Sequence, residues 1–266
     1  MEEKPVTSYS EESKIIKFKA KTGEFFDIEV VEEPKEKLKN IKDKVVGDIS
    51  SITKRALGDP GDLAKKWFYM ADILAIARRE GRIKGYAIGK YIRDTLFFFP
   101  VTMVLPQDRN KGLAMFMNYT ILRMLWRRRI KKAKWRIWKW FQPLYITFRT
   151  YNPILYRAIS KRIDVVPSVK GRIPSPQEVK IAREVANLSS PEYKFDPQTF
   201  VIEGALSSYP ELFKNENVPW TSDRRVNEFF EKHLKLSEKK GNVFVVVGRV
   251  PKLLWFVLAI INFWGK

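Results

Sequence analysis

The stretch of this sequence best suited to chemistry is a short basic turn with small residues, Arg-Asn-Lys-Gly-Leu-Ala at 109–114. It follows a mainly apolar run at 96–105 and precedes a long segment with helical spacing, so a strand, a turn and a helix start come in that order. The first N–H groups of a helix have no partner within it and carry partial positive charge. With Arg109, Lys111 and the bare backbone of Gly112, they predict a site for a phosphate or pyrophosphate group.

Other kinds of reactive site are limited by the residue inventory. The chain has no cysteine and one histidine, His233, which excludes thiolate catalysis and a metal site built from several histidines. We expect no bound metal, and we interpret His233 as structural because three apolar residues share its helical face. For a carboxylate base, Asp72 and Glu203 are candidates because their neighbours in sequence are apolar, and a solvated strand face is the alternative for each.

Hydrophobic spacing and turn residues predict the elements that must position the basic turn. A hairpin and a helix come first, followed by three strands that form an antiparallel meander, with Pro100 marking an edge or a bulge in the third. A long helix, or two abutting helices, and a further strand come next, and helices alternate with strands after that. The predicted bounds are 14–19 and 25–31 for the hairpin, 35–57 for the helix, 68–77, 83–92 and 96–105 for the meander, 113–141 for the long helix, 144–150 for the next strand, and 154–161, 163–166, 176–187, 199–205, 223–234 and 242–250 for the remainder.

In this order and with this turn, the sequence resembles the GNAT superfamily of acyltransferases. Residues 109–114 are similar to the R/Q-x-x-G-x-G/A motif of that superfamily, which follows a bulged fourth strand and opens a helix. The resemblance implies an α+β fold, an α/β/α sandwich on a mixed, mainly antiparallel sheet, extended by a C-terminal α/β part and an apolar tail helix. The implied division is a flexible N-terminus at 1–12, an acyl-CoA-binding core at 13–166, an extension that completes the sheet at 167–250, and an interfacial tail at 251–266.

The resemblance also implies a cofactor and roles for individual residues. Acetyl-CoA or a longer acyl-CoA would be the acyl donor. Tyr156 follows an Asn-Pro turn and matches a tyrosine that protonates the departing coenzyme A thiolate in many members, although a core tyrosine on a short helix is the alternative. The implied cofactor-binding residues are Val104 and Leu105, for the pantetheine arm, and Arg109, Asn110, Lys111, Gly112, Leu113 and Ala114, for the pyrophosphate.

Positive charge is concentrated in the middle of the chain. The net charge is +20, and residues 109–163 contain fifteen Lys and Arg but no Asp or Glu. On a helix, residues 126–141 place apolar side chains on one face and cations on the rest, a pattern that suits an anionic membrane surface. The apolar run 253–264 is shorter than the roughly 20 residues that span a bilayer, so it is either a second interfacial signal or a core helix.

The sequence therefore predicts an acyltransferase that moves an acetyl or longer acyl group from acyl-CoA to an amine or lipid-like acceptor. We expect a peripheral protein on the cytoplasmic face of the cell membrane, because residues 1–10 lack the pattern of an export signal. The alternative is a non-catalytic protein of the GNAT fold that binds nucleic acid or another polyanion through the basic aromatic segment 123–141. The apolar tail favours the membrane, because binding to nucleic acid would not require it.

Overall fold

The computed structural model describes residues 8–9, 13–57, 62–133, 142–209, 212 and 218–251. The basic aromatic residues 134–141 and the tail 252–266 lie outside this part, so the helix and the interfacial role expected for them stay predictions. The strands are β1 (Lys14–Lys19), β2 (Phe25–Glu32), β3 (Ile73–Arg79), β4 (Arg82–Arg93), β5 (Leu96–Val104), β6 (Leu144–Thr150), β7 (Asp164–Val166), β8 (Phe195–Asp196), β9 (Val201–Ile202) and β10 (Val243–Val250). The helices are α1 (Pro34–Lys37), α2 (Lys42–Leu57), α3 (Asp62–Met70), α4 (Leu113–Ala133), α5 (Pro153–Ser160), α6 (Pro176–Ser189) and α7 (Arg224–Leu234).

The chain divides into two compact units, Met1–Ile92 with Phe99–Arg136, and Arg93–Phe98 with Ile137–Lys266. Most of the strand pairs are antiparallel, and helices are interspersed among the strands. The mixed, mainly antiparallel α+β fold predicted from the sequence is thus confirmed. The functional division at residue 166 stays a prediction.

In the first unit, β1 to β4 pair antiparallel in chain order and β5 follows beside β4. Helix α4 lies against this sheet through an apolar stripe with helical spacing, and the contact is close at one glycine. A Cβ built on Gly89 in β4 would lie 2.2 Å from Ile121 Cγ2, so only a residue without a side chain lets the helix approach this closely. The buried stripe is Leu113, Met117, Ile121 and Leu125.

In the second unit, β10 is the central strand and pairs antiparallel with β6, β7 and β9. Seven of its eight residues are buried. Helix α6 begins at a capping box, in which the Ser175 side chain accepts from Glu178 N and the Glu178 carboxylate accepts from Ser175 N. Phe229, Phe230 and Phe244 form an aromatic cluster in the core of this unit.

Three predicted elements differ from the structure. Residues 68–70, expected to begin the first meander strand, end α3, because a short apolar run fits a buried helix as well as a strand. The helix expected at 35–57 is interrupted by a 3₁₀ turn at Lys39–Ile41, and α2 begins only at Lys42. The strand expected at 199–205 is reduced to the two residues of β9.

Candidate functional site

The loop between β5 and α4 brings together the residues of the predicted phosphate site. The strand ends at Val104, a 3₁₀ turn follows at Pro106–Asp108, and Arg109 is extended. Asn110 and Gly112 then have φ angles of 64° and 84°, and the helix begins at Leu113. These two left-handed residues reverse the chain within a few positions, so the exposed loop leads directly into the first turn of α4.

Gly112 is the residue on which the loop depends. Its φ of 84° lies in the left-handed region, which residues with a Cβ rarely adopt. The nearest atom to a Cβ built there would be Phe18 Cζ, at 3.6 Å. Glycine is therefore required by the backbone conformation rather than by lack of space, and its surface stays open to a ligand.

The first turn of α4 supplies hydrogen-bond donors beside Gly112. Phe116 N donates to Gly112 O over 3.0 Å, and this bond closes the first turn of the helix. The N–H groups of Leu113 and Ala114 precede that bond, and such groups have no acceptor inside the helix. Because α4 has 21 residues, its aligned peptide dipoles add partial positive charge at this end. The arrangement suits an anion approaching over Gly112.

The sequence predicts that Lys111 offers its positive charge to a phosphate, but in the structure this charge is paired with carboxylates. Its Nζ lies 2.6 Å from Glu24 Oε1 and 3.0 Å from Asp108 Oδ1, and Arg79 NH1 lies 2.5 Å from the same Glu24 oxygen. Hydrogen bonds from Lys111 and then from Thr22 are the main causes that hold the pKa of Glu24 at about 2. Two carboxylates thus balance the Lys111 charge beside the loop.

Arg109 is the cation of the loop that faces solvent. Its Nε and NH2 donate to backbone carbonyls, Val104 O at 3.4 Å and Ala56 O at 3.3 Å. Both bonds are long, and both acceptors are neutral. A phosphate oxygen would be a stronger partner for this guanidinium than either carbonyl. Arg109 and the backbone of residues 112–114 are therefore the groups best suited to an anion.

The residues expected to contact the pantetheine arm lie at the end of β5. Leu105 N donates to Lys84 O over 2.9 Å, and Leu105 O accepts from Asp108 N over 2.9 Å. Val104 O accepts the long bond from Arg109 Nε, at 3.4 Å. Because the backbone of Leu105 already has partners within the first unit, its role in holding the pantetheine arm stays a prediction.

Tyr156 lies in the second unit, on α5, and is 1% exposed. The helix begins at a cap in which Asn152 Oδ1 accepts from Leu155 N over 3.0 Å. The Tyr156 hydroxyl donates to Pro167 O at 2.8 Å and accepts from Val169 N at 3.2 Å. Burial is the main cause that raises its pKa to about 12. The tyrosine keeps its proton at neutral pH, which an acid requires, but in this structure that proton bonds to backbone.

The candidate bases and the histidine have structural partners. Asp72 lies just before β3 rather than within it, where its Oδ2 accepts from Tyr91 N at 2.7 Å and its Oδ1 lies 3.5 Å from Arg128 NH1. Glu203 is exposed in a turn after β9. Burial first and then Lys232 lower the pKa of His233, whose ring lies 4.8 Å from that of Phe229. Within the part of the chain that the structure describes, no group of three or more His, Asp or Glu could hold a metal ion.

The sequence pattern does not identify Glu24 and Asp108 as neighbours of the loop. Glu24 lies 87 residues before Lys111, so no local pattern connects them. Asp108 directly precedes the motif. Its side chain is buried, and one of its carboxylate oxygens pairs with Lys111. Its other oxygen has no hydrogen-bond partner among the described residues. The one sequence signal for this pairing is the spacing of Asp108 and Lys111, an acid three positions before a lysine at the end of a strand.

No protein-family model matches this chain, and no curated protein matches it. The chain resembles a number of solved structures at low identity. One is a GNAT-family N-acetyltransferase from Escherichia coli in complex with CoA, at 15% identity over 42% of this chain and 61% of that one, with a TM-score of 0.33. Another is Ard1 from Thermoplasma volcanium, at 10% identity over 84% of this chain and 98% of that one, with a TM-score of 0.35. Aminoglycoside 6'-acetyltransferase type Ii has 13% identity over 55% of this chain and 99% of that one, with a TM-score of 0.35. At these values, no residue role passes from those proteins to this chain.

Proposed function

We propose that this protein is an acyltransferase that moves an acetyl or longer acyl group from an acyl-CoA thioester to an amine. The observation that carries the proposal is the loop at 109–114, in which left-handed Gly112 delivers the chain into the N-terminus of a 21-residue helix beside an exposed arginine. Helix donors, an open glycine and a guanidinium together suit a pyrophosphate.

Three features of the loop favour binding of such a cofactor, and one does not. The absent side chain at Gly112, the N–H groups that begin α4 and the Arg109 guanidinium each favour a phosphorylated ligand. Lys111 is the departure, since Glu24 and Asp108 balance its charge. When bound, acyl-CoA supplies the activated thioester carbonyl. The loop residues bind and orient its phosphates, and Tyr156 is proposed to deliver a proton to the leaving sulfur.

We further propose that the protein works at an anionic membrane surface and takes an amine-bearing or lipid-like acceptor. The support is the basic sequence around α4 and the apolar sequence 253–264. Among the described residues, none of the helices has the length and apolar character needed to cross a membrane. Attachment on the cytoplasmic face through two interfacial segments accounts for both sequences.

Thiol release tests the proposed reaction. When an amine nitrogen attacks the thioester carbonyl, the carbon–sulfur bond breaks and one free CoA thiol forms for each acyl group moved. The chain has no cysteine, so a thiol reagent detects CoA without background from the protein. We expect amine-dependent thiol release from acetyl-CoA or a longer acyl-CoA, and a much slower release with Gly112→Glu.

A folded chain that releases no thiol with any acyl-CoA and primary amine, and binds no CoA, would contradict the proposal. If that chain also bound oligonucleotides with steep salt dependence, the alternative function of binding nucleic acid would replace it.

A further inference from the structure

An open groove with a volume of about 410 Å³ lies in the first unit, away from the loop at 109–114. One side is formed by the last turns of α4, and the other by Glu32 and Glu33 at the end of β2. The lining residues on α4 are Arg127, Arg128, Lys131 and Lys132. The proposed acyl transfer gives this groove no role.

The groove has an excess of positive charge. Its lining has four cations and two carboxylates. Arg128 lies 3.7 Å from Glu33 and 3.5 Å from Asp72, so its charge is balanced within the protein. Lys131 and Lys132 on the next turn are exposed. The exposed charges of these two lysines attract an anion from outside the chain.

Neighbouring cations crowd the same face of α4. Arg123, Arg127 and Lys131 are spaced four residues apart, and like charges at this spacing destabilise a helix. Partial burial, then Arg127 and Arg123, lower the pKa of Lys14 in β1. Burial and then Arg123 lower the pKa of Arg127, against an opposing effect of Glu32. A bound anion would relieve this repulsion.

The surroundings of the groove favour a lipid phosphate over nucleic acid. Proteins that bind single strands stack bases on exposed aromatic rings. None of the six lining residues is aromatic, and the nearby Tyr91 ring is covered by Arg128 at 5.3 Å and by Lys132 at 4.7 Å. The sequence beyond α4 continues with tryptophans among lysines and arginines, a composition typical of the headgroup region of a bilayer.

We propose that this α4 groove, lined by Arg127, Arg128, Lys131 and Lys132, binds the phosphate groups of anionic phospholipids. The inference rests on the membrane part of the proposed function and assigns it a site. It does not depend on acyl transfer, because the groove and the loop at 109–114 use different residues.

Sedimentation of the full chain with vesicles tests the groove. The vesicles are phosphatidylcholine alone and phosphatidylcholine mixed with phosphatidylglycerol. Arg127→Gln with Lys131→Gln should weaken binding to the acidic vesicles about 30-fold, which corresponds to about 1 kcal/mol for each basic residue near the surface. Lys131→Gln with Lys132→Gln changes only exposed residues and should act in the same direction if the first variant does not fold.

Arg224→Gln with Arg225→Gln is the matched control, because it removes the same net charge from exposed positions on α7. We expect its binding to stay within about twofold of the unaltered chain, since these residues lie outside the groove. Equal losses in the groove and control variants, or unchanged binding in the groove variant, would overturn the groove alone. Loss of oligonucleotide binding with no loss of vesicle binding would also overturn it.

The same samples separate this proposal from the others. If the unaltered chain binds neither kind of vesicle, the membrane part of the proposed function is wrong and the groove proposal falls with it. Thiol release measured on the groove variant without vesicles should match the unaltered chain, whether or not the groove binds lipid.

Discussion

Glu24 and Arg79 influence the loop at 109–114 without belonging to it, through the charge of Lys111. Replacing Glu24 with Gln leaves Lys111 and Arg79 without that shared carboxylate, while Asp108 keeps its bond to Lys111. We expect CoA to bind about three- to tenfold more tightly to Glu24→Gln at low salt, because the added positive charge attracts phosphate. The gain should shrink as salt screens it.

Asp27→Asn is the matched control for Glu24→Gln, since Asp27 is a half-buried acid on β2 paired with Lys17 at 3.7 Å. It should change CoA affinity little, as measured by calorimetry. Weaker CoA binding in Glu24→Gln would show that the carboxylate holds the loop in shape, and would contradict the electrostatic role.

The same carboxylate predicts a pH dependence of stability. Its pKa falls from 4.5 to about 2 in the folded chain, so the folded state stabilises the charged form. That stabilisation is complete above pH 4.5 and is lost as pH falls toward 2. Urea unfolding across this range should therefore show a steeper loss of stability for the unaltered chain than for Glu24→Gln. Parallel curves for the two proteins would argue against the pairing.

Tyr156→Phe separates catalysis from packing. If the hydroxyl protonates the leaving thiolate, turnover should fall about 10²-fold with CoA affinity unchanged. Because the hydroxyl bonds to Pro167 O and Val169 N, the variant should also lose about 1 kcal/mol of unfolding free energy. If Tyr156→Phe loses stability but turns over as fast as the unaltered chain, Tyr156 has a packing role alone.

The strand, turn and helix start around residues 109–114 could be predicted from the sequence because this geometry is local. A strand, a glycine turn and a helix start are adjacent in the chain, so spacing alone brings their backbone groups together. The partners of Lys111 could not be predicted in the same way. Its pairing with Glu24 depends on how β1 and β2 lie beside the loop, and no spacing rule connects positions 87 residues apart.

The position of α4 on the sheet depends on Gly89 in β4. Gly89→Ala places a Cβ 2.2 Å from Ile121 Cγ2, which forces the helix away from β4. We expect a loss of about 1–3 kcal/mol in unfolding free energy. CoA affinity should fall as well, because the N-terminus of α4 moves with the helix. Urea unfolding and calorimetry measure the two effects.

Gly47→Ala is the control for Gly89→Ala, because Gly47 lies in α2 with nothing within 4 Å of a built Cβ. In a helix this change should stabilise by up to about 1 kcal/mol. If Gly89→Ala were equally harmless, the close contact between α4 and β4 would not be what positions the helix.

Helices and strands with a sustained hydrophobic periodicity could be predicted from the sequence, and very short elements could not. Helices α6 and α7 and strands β4 to β6 lie close to their predicted bounds because their patterns extend over several turns or strand positions. Residues 68–70 were misassigned because three apolar residues fit the end of α3 as well as a strand. Strands β8 and β9 have two residues each and exist through pairing with each other and with β10, which local sequence does not encode.

For the whole molecule, attachment to membranes should have two separable parts. We propose that basic residues around α4 supply attraction that fades with salt, and that the apolar sequence 253–264 supplies attraction that does not fade with salt. Removing residues 252–266 should therefore leave vesicle binding that requires acidic lipid and low salt. Vesicle sedimentation across a salt series measures this. Salt-resistant binding in the shortened chain would contradict a role for the tail.

We propose that the loop at 109–114 binds the pyrophosphate of coenzyme A, and calorimetry with CoA is the direct test of this binding. Gly112→Glu places a carboxylate where the anion should lie, in a backbone conformation with φ of 84°. Gly171→Glu is the matched control, because Gly171 has φ of 74° and open space around it in the second unit. We expect the unaltered chain and Gly171→Glu to bind CoA alike. Folded Gly112→Glu should lose affinity about tenfold or more, at about 1.4 kcal/mol per tenfold. Equal CoA affinity in all three folded proteins would show that the loop does not bind the pyrophosphate.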